Sequence, residues 1–294
     1  MTVSSTGTFV SSALADLDAS GSLNVDAGGS ASFSGDVVGS NVGGIDSLGG
    51  SLTFDTVDVS AKVNANAAST VNVNGAVSFS RAISVLGGIT GTAGASIVLT
   101  SETAAEEIHY ISGAVTVDSI EVDVDTVLVA DGLDTGADVT VEGAVEIDGT
   151  ADVSFGSLEL AASSEFTVDA SGDDFAAVDV SGAVTFTGSN QEVTVVWDSE
   201  VSTPFTVMEY ASYSGTAPEA TLIASAGVSR RALLQTTEEP TTAMPTGDPE
   251  NSCELEWQDD KLVVACSDDS AASSLAPVAM FAALVAALVA AVFA

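Results

Sequence analysis

The sequence predicts an all-β fold: a right-handed parallel β-helix with a C-terminal capping hairpin, then a linker and one apolar C-terminal helix. Three observations point there. Short runs such as SLTFDTVDVS, AVTVDSIEVDV, DVTVEGAVEID and EVTVVW alternate apolar and polar residues, the period of a half-buried strand. Gly, Asp, Asn and Ser break these runs, and no proline occurs before Pro204. The tripeptide Gly-Ala-Val recurs from Gly75, Gly113, Gly143 and Gly182, at spacings of 38, 30 and 39 residues. Such spacing reads as two solenoid coils of roughly 15–20 residues each, stacked so that neighbours bury one continuous core.

The first unit is residues 1–226. At roughly 4.8 Å per coil, about ten or eleven coils would make a rod on the order of 50 Å long. A β-sandwich is the competing fold. It requires tight hairpin turns every 8–12 residues or so, and Asn74-Gly75, Asp131-Gly132 and Asp148-Gly149 are the main examples present. Before the C-terminal tail, Ala104–Ile108 is the one candidate for a helical turn. Met1–Leu14 has no basic start and no sustained apolar stretch, so it does not read as a signal peptide. Met1 is therefore expected to be an internal methionine of a longer, secreted chain.

Charge limits the partners. Five basic residues face 42 acidic ones, a net charge of −37 over 294 residues. Such a surface repels nucleic acid and anionic lipid. High acidity with few aromatics is also a mark of disorder, but 46% of residues are hydrophobic and they alternate, which argues for a folded chain.

Chemistry-bearing motifs are sparse. Asp16, Asp18 and Ser20, followed by Gly21, open like a calcium loop, yet the twelfth position is Ala27 rather than the bidentate Glu of such loops. They are weak calcium candidates. The acids of Asp123–Asp138 are expected on solenoid turns, where they would hold calcium loosely, and no other cofactor is expected. The single histidine, His109, stands beside Tyr110, and the solenoid's basic residues are Lys62 and Arg81. One His next to a Tyr in a strand reads as a surface or core residue rather than a general base. No catalytic residue is assigned, although paired carboxylates for glycoside hydrolysis are compatible with so many acids.

The segment Thr203–Thr216 (TPFTVMEYASYSGT) carries Phe205, Val207, Met208, Tyr210, Ser212 and Gly215. In that pattern it resembles the closing rung of adhesin and autotransporter-passenger right-handed β-helices, where an aromatic-rich strand precedes Ser-x-x-Gly and a final hairpin. The resemblance covers about 65 residues and implies a secreted, adhesive or structural surface rod. It fails at the end of the chain, because no outer-membrane barrel sequence follows Cys266.

Residues 227–252 are Thr- and Pro-rich, the composition of an extended linker or insertion. Arg230-Arg231, the one dibasic pair, is a candidate for proteolytic processing. Residues 253–266 read as a hairpin in which Leu255 faces Val264 and Trp257 faces Leu262 across a Gln258–Lys261 loop. That register sets Cys253 opposite Cys266, at a separation a disulfide spans, and so implies an oxidising compartment.

Residues 267–294 form the tail. Leu275–Ala294 holds no charge, and no basic residue follows it. The small residues Ser270, Ala271 and Ala272, a short spacer and an apolar end match a GPI-attachment signal, with a transmembrane span as the alternative. The expected protein is thus a non-enzymatic structural or adhesive element on the extracellular face of the plasma membrane. Its partners would be the membrane, through the anchor, and an extracellular glycan or protein ligand. A surface polysaccharide-acting enzyme is the second reading, and an ice- or mineral-binding solenoid the third.

Overall fold

The computed structural model describes residues 1–17, 21–39, 44–102, 106–170, 176–197, 204–218, 220–224 and 251–268. Within them the chain is a β-solenoid whose strands stack in parallel on three faces, with no helix.

The first face runs through Thr2–Val3, Leu23–Asp26, Gly44–Leu48, Lys62–Ala65 and Ile83–Val85. It continues through the leading halves of Glu107–Thr116 and Thr126–Thr135, then Ala144–Ile147, Glu165–Ala170, Glu192–Trp197 and Ala220–Ala224. The second face begins with Thr8–Ser11, Ser30–Phe33, Ser51–Asp55, Thr70–Asn74 and Ile89–Gly91. It ends with the leading halves of Val178–Phe186 and Phe205–Ser214. The third runs from Ala15–Leu17 through Val37–Gly39, Asp58–Ser60, Ala76–Phe79 and Ser96–Leu99, and then Ser119–Val122, Asp138–Val141 and Ser157–Leu160.

Alternation decides what each strand buries. In Ser51–Asp55, Leu52 and Phe54 are fully buried while Ser51 and Thr53 face outward. Because strands are parallel and in register, like side chains fall above one another. Phe33 and Phe54 stack with ring centroids 5.4 Å apart, and Phe54 meets Phe79 edge-on at 5.5 Å. Each such burial stabilises by roughly 1.5–3 kcal/mol, so the core gains its energy coil by coil.

Three expectations need correction. The Gly-Ala-Val repeats do not mark two coils. Ala76-Val77 lies on the third face, Ala114-Val115 on the second, Ala144-Val145 on the first and Ala183-Val184 on the third again. Each step is five strands, one and two-thirds coils. The tripeptide marks corners, not coils. Gly75 and Gly113, for instance, take φ of 75° and 86°, where only glycine is free of strain. Coil length also exceeds the expected range: partners are 17 residues apart at Val127↔Ala144 but 30 apart at Val178↔Met208. Nor is there a helical turn at Ile108. Glu107 and Ile108 open a strand, with His109 turned into the core.

The hairpin is found in the expected register, with strands extending over Asn251–Trp257 and Lys261–Asp268. Its second strand pairs antiparallel with Phe205–Ser214, which covers the edge that the last parallel strand would leave open. Leu262 and Val264 are buried in the core, and Trp257 packs edge-on against Phe186 at 5.2 Å. The Tyr210 hydroxyl sits between the carbonyls of Gln258 (2.6 Å) and Lys261 (3.0 Å), so the closing rung holds the hairpin loop. Burial pushes the pKa of this phenol up to about 12. Cys253 is disulfide-bonded, and its cross-strand partner Cys266 is the one other cysteine in the chain. Among the described residues no helix is long and apolar enough to cross a membrane. The expected apolar C-terminal helix, Ser270, Ala271, Ala272, Arg230 and Arg231 lie outside the described residues.

Candidate functional site

A notch in the corner between the third and first faces arises from a difference in coil length. Three residues, Asp123-Val124-Asp125, turn this corner between Val122 and Thr126, and four, Ala161–Ser164, turn it between Leu160 and Glu165. The coil between them needs two, Glu142 and Gly143, from Val141 to Ala144. It therefore cuts the corner, and its neighbours overhang a notch of about 350 Å³. Gly143 is required at the floor, because a Cβ there would fall on the carbonyls of Asp123 and Thr126.

Carboxylates line this space: Glu106, Asp125, Glu142 and Glu165. Glu192 stands one coil below Glu165 as its strand partner. Burial, with the charges of Glu192 and Glu106, raises the Glu165 pKa above the usual carboxylate value. Among the described residues no basic side chain lines the notch. Asp125, Ser163 and Asn190 occupy this corner on their coils with φ of 61°, 64° and 65°, a conformation Asp and Asn tolerate better than most residues. The notch thus concentrates negative charge on a rigid corner. Among the described residues, however, no group of three His, Cys, Asp or Glu side chains is arranged to hold a metal ion.

The other sequence candidates are dispersed. Asp16 is an exposed residue of the Ala15–Leu17 strand, and Asp18 and Ser20 lie outside the described residues. The acids of Asp123–Asp138 do not all sit on turns. Asp131 accepts a hydrogen bond from the Tyr110 hydroxyl at 3.0 Å, Asp134 one from Ser154 and Asp138 one from Ser157, both at 2.6 Å. Arg81 is paired with Glu102 at 3.1 Å, and Lys62 is exposed on the first face. His109 is fully buried. Neither ring nitrogen makes a well-formed hydrogen bond, and burial pulls its pKa down to about 4 against an opposing effect from the Thr100 backbone. It is a neutral core residue.

Sequence reasoning did not find the notch. Its signal is the run VTVEGAVEI, where two alternating segments meet at Glu142-Gly143 with no turn residues to spare. No family model matches the chain, and neither a curated protein nor a solved structure matches it.

Proposed function

We propose that the chain is a non-enzymatic cell-surface rod, structural or adhesive, wound right-handed as parallel crossover connections almost always are. It would be held on the extracellular face of the plasma membrane by a GPI-type anchor at Ser270, Ala271 or Ala272. The observation that carries this reading is the unbroken parallel stack ending in a disulfide-bonded antiparallel hairpin. That arrangement makes a stiff spacer suited to an oxidising exterior, and its acidity keeps rods apart and soluble. The adhesin-like pattern of Phe205–Gly215 supports the same reading, as does the uncharged Leu275–Ala294.

The test is surface labelling of the full chain, supplied with a signal peptide, before and after phosphatidylinositol-specific phospholipase C. Release into the medium with loss of Leu275–Ala294 is the expected result. Retention with the tail intact favours a transmembrane span, and absence from the surface overturns the placement. The acidic notch keeps a second reading in play, a polysaccharide-acting enzyme in which the raised Glu165 serves as general acid. Hydrolysis of a polysaccharide panel, abolished by Glu165→Gln, would select it.

A further inference from the structure

We infer that the second face, over the coils from Thr8–Ser11 to Glu107–Thr116, is a docking surface for a neutral, hydroxyl-rich polysaccharide. This deepens the surface-rod reading and rests on it for its biological setting.

Outward carboxylates are sparse on these coils. The third face carries Asp16 and Asp58 there, and the acids become frequent only on later coils, with Glu121, Asp138 and Glu159 on the third face and Asp134 and Asp179 on the second. The second face of the early coils is instead rich in hydroxyls and amides. One outward rank reads Ser32, Thr53, Asn72, Thr90 and Thr116, each the ladder partner of the next. A parallel rank reads Thr8, Ser30, Ser51 and Thr70. On the second-face portions of these strands Asp55, at the end of Ser51–Asp55, is the one charged residue. In a chain of net charge −37, this is a large surface that a neutral polymer can approach without stripping water from carboxylates.

The surface continues over the corner onto the first face, where Asp26 stands as the ladder partner of Leu48. There Gly28-Gly29, Gly49-Gly50 and Gly87-Gly88 keep the edge thin, and Leu48 and Leu86 stand 59% and 43% exposed. Between them lies a groove of about 160 Å³, lined also by Ala65, Asn64 and Asn66. Its one carboxylate, Asp46, accepts a hydrogen bond from Asn64 at 2.9 Å.

These features match one chemistry. Ser and Thr hydroxyls both donate and accept, as sugar hydroxyls do, and the leucines offer apolar contact to sugar C–H surfaces. The ranks are weakly committed to one another. Ser30 and Thr8 approach at 3.3 Å, and Asn72 reaches the Ser51 and Thr53 hydroxyls at 3.3 and 3.5 Å, while Asn72 also donates to the Leu52 carbonyl and Thr116 accepts from the Gly91 N–H, both at 3.2 Å. An acidic polymer is repelled by the net charge of −37. A second copy is disfavoured because pairing would bring two chains of −37 together.

The experiment is retention of the purified full chain on cellulose, chitin and a neutral mannan, with alginate as the acidic comparison. Thr53→Asp and Thr90→Glu place charge on the face, and Thr140→Asp places it on the third face as a control. Circular dichroism checks that each variant folds, and two variants on the face guard against the failure of one. The expected result is retention on at least one neutral polymer, reduced at least tenfold by Thr53→Asp and by Thr90→Glu but unchanged by Thr140→Asp. Three outcomes overturn the inference: no retention on any neutral polymer, equal retention on alginate, or a dimer in sedimentation velocity that Thr53→Asp dissolves. Binding is measured on purified protein and does not depend on cellular location, so its failure leaves the surface-labelling result standing, and the converse also holds.

Discussion

His109 pairs with Leu128 in the parallel ladder of the first face, so an imidazole occupies a rank otherwise filled by Leu23, Ile45 and Val63 before it and Val145 and Phe166 after it. The ring is fully buried, and neither nitrogen makes a well-formed hydrogen bond. A neutral ring is tolerated there at the cost of an unmade hydrogen bond, and a charged one is not.

This makes the solenoid acid-sensitive at one position. The folded-state pKa lies near 4 against an ordinary 6.5, so the unfolded chain takes up the proton first as pH falls. Stability contributed by the neutral ring is complete above pH 6.5 and is lost progressively as pH falls toward about 4, by about 3 kcal/mol in all. His109→Leu should abolish that loss and also gain about 1–3 kcal/mol at pH 7, by removing the poorly bonded nitrogens. Urea denaturation of parent and variant at pH 7 and pH 4.5 measures both. A constant difference between the two proteins across that interval would show that the ring is not buried in its neutral form.

Much of the fold is legible in the sequence because alternation on stacked parallel strands is a local signal: the burial of Leu52 and Phe54 follows from SLTFD alone. The hairpin register follows equally from the position of its loop. Coil phase is not local. Which face a strand joins depends on how many residues each corner takes up, and Gly-Ala-Val marks corners of all three faces alike. The notch was hidden for the same reason, since Glu142-Gly143 is short only by comparison with Asp123–Asp125 and Ala161–Ser164 on its neighbours. His109 was legible as a core or surface residue, and it took the register with Leu128 to choose between them.

Glu165 supplies the opposite case to His109. Its folded-state pKa is raised by burial and by Glu192 and Glu106, so the folded state holds the proton more tightly than the unfolded chain. The penalty of its charge is therefore absent in acid and appears as pH rises through the ordinary value of 4.5 and beyond. Glu165→Gln should raise the thermal midpoint at pH 7 and make no difference below about pH 4. Added salt should narrow the gap at pH 7, because the notch is open to solvent and its repulsion is screened. A gap that persists unchanged at both pH values would refute the assignment.

Gly136 and Gly156 stand above one another at the corner leading to the third face but differ in what surrounds them. A Cβ at Gly156 would fall on the Gly136 carbonyl, whereas one at Gly136 would meet nothing within 4 Å. Gly156→Ala must push two coils apart and is expected to cost about 1–3 kcal/mol. Gly136→Ala should be neutral or stabilise by about 0.4–1 kcal/mol through the unfolded chain. Denaturant midpoints of the two variants give the comparison, and equal effects would contradict the stacking at this corner.

The disulfide at Cys253 closes a loop that includes Leu262 and Val264, the two residues by which the hairpin enters the core. Closing a loop of this size is worth about 3 kcal/mol in the chain-entropy model. Each coil touches only its neighbours, so the loss on reduction should stay local. Reduction, or Cys253→Ser, is expected to speed amide exchange at Leu262, Val263 and Val264 and along Phe205–Ser214, where the hairpin strand pairs. The stacked Phe33 and Phe54 coils should keep their protection. Exchange that rises equally along the whole rod would mean that the solenoid unfolds as one cooperative unit, with the hairpin its keystone rather than its lid.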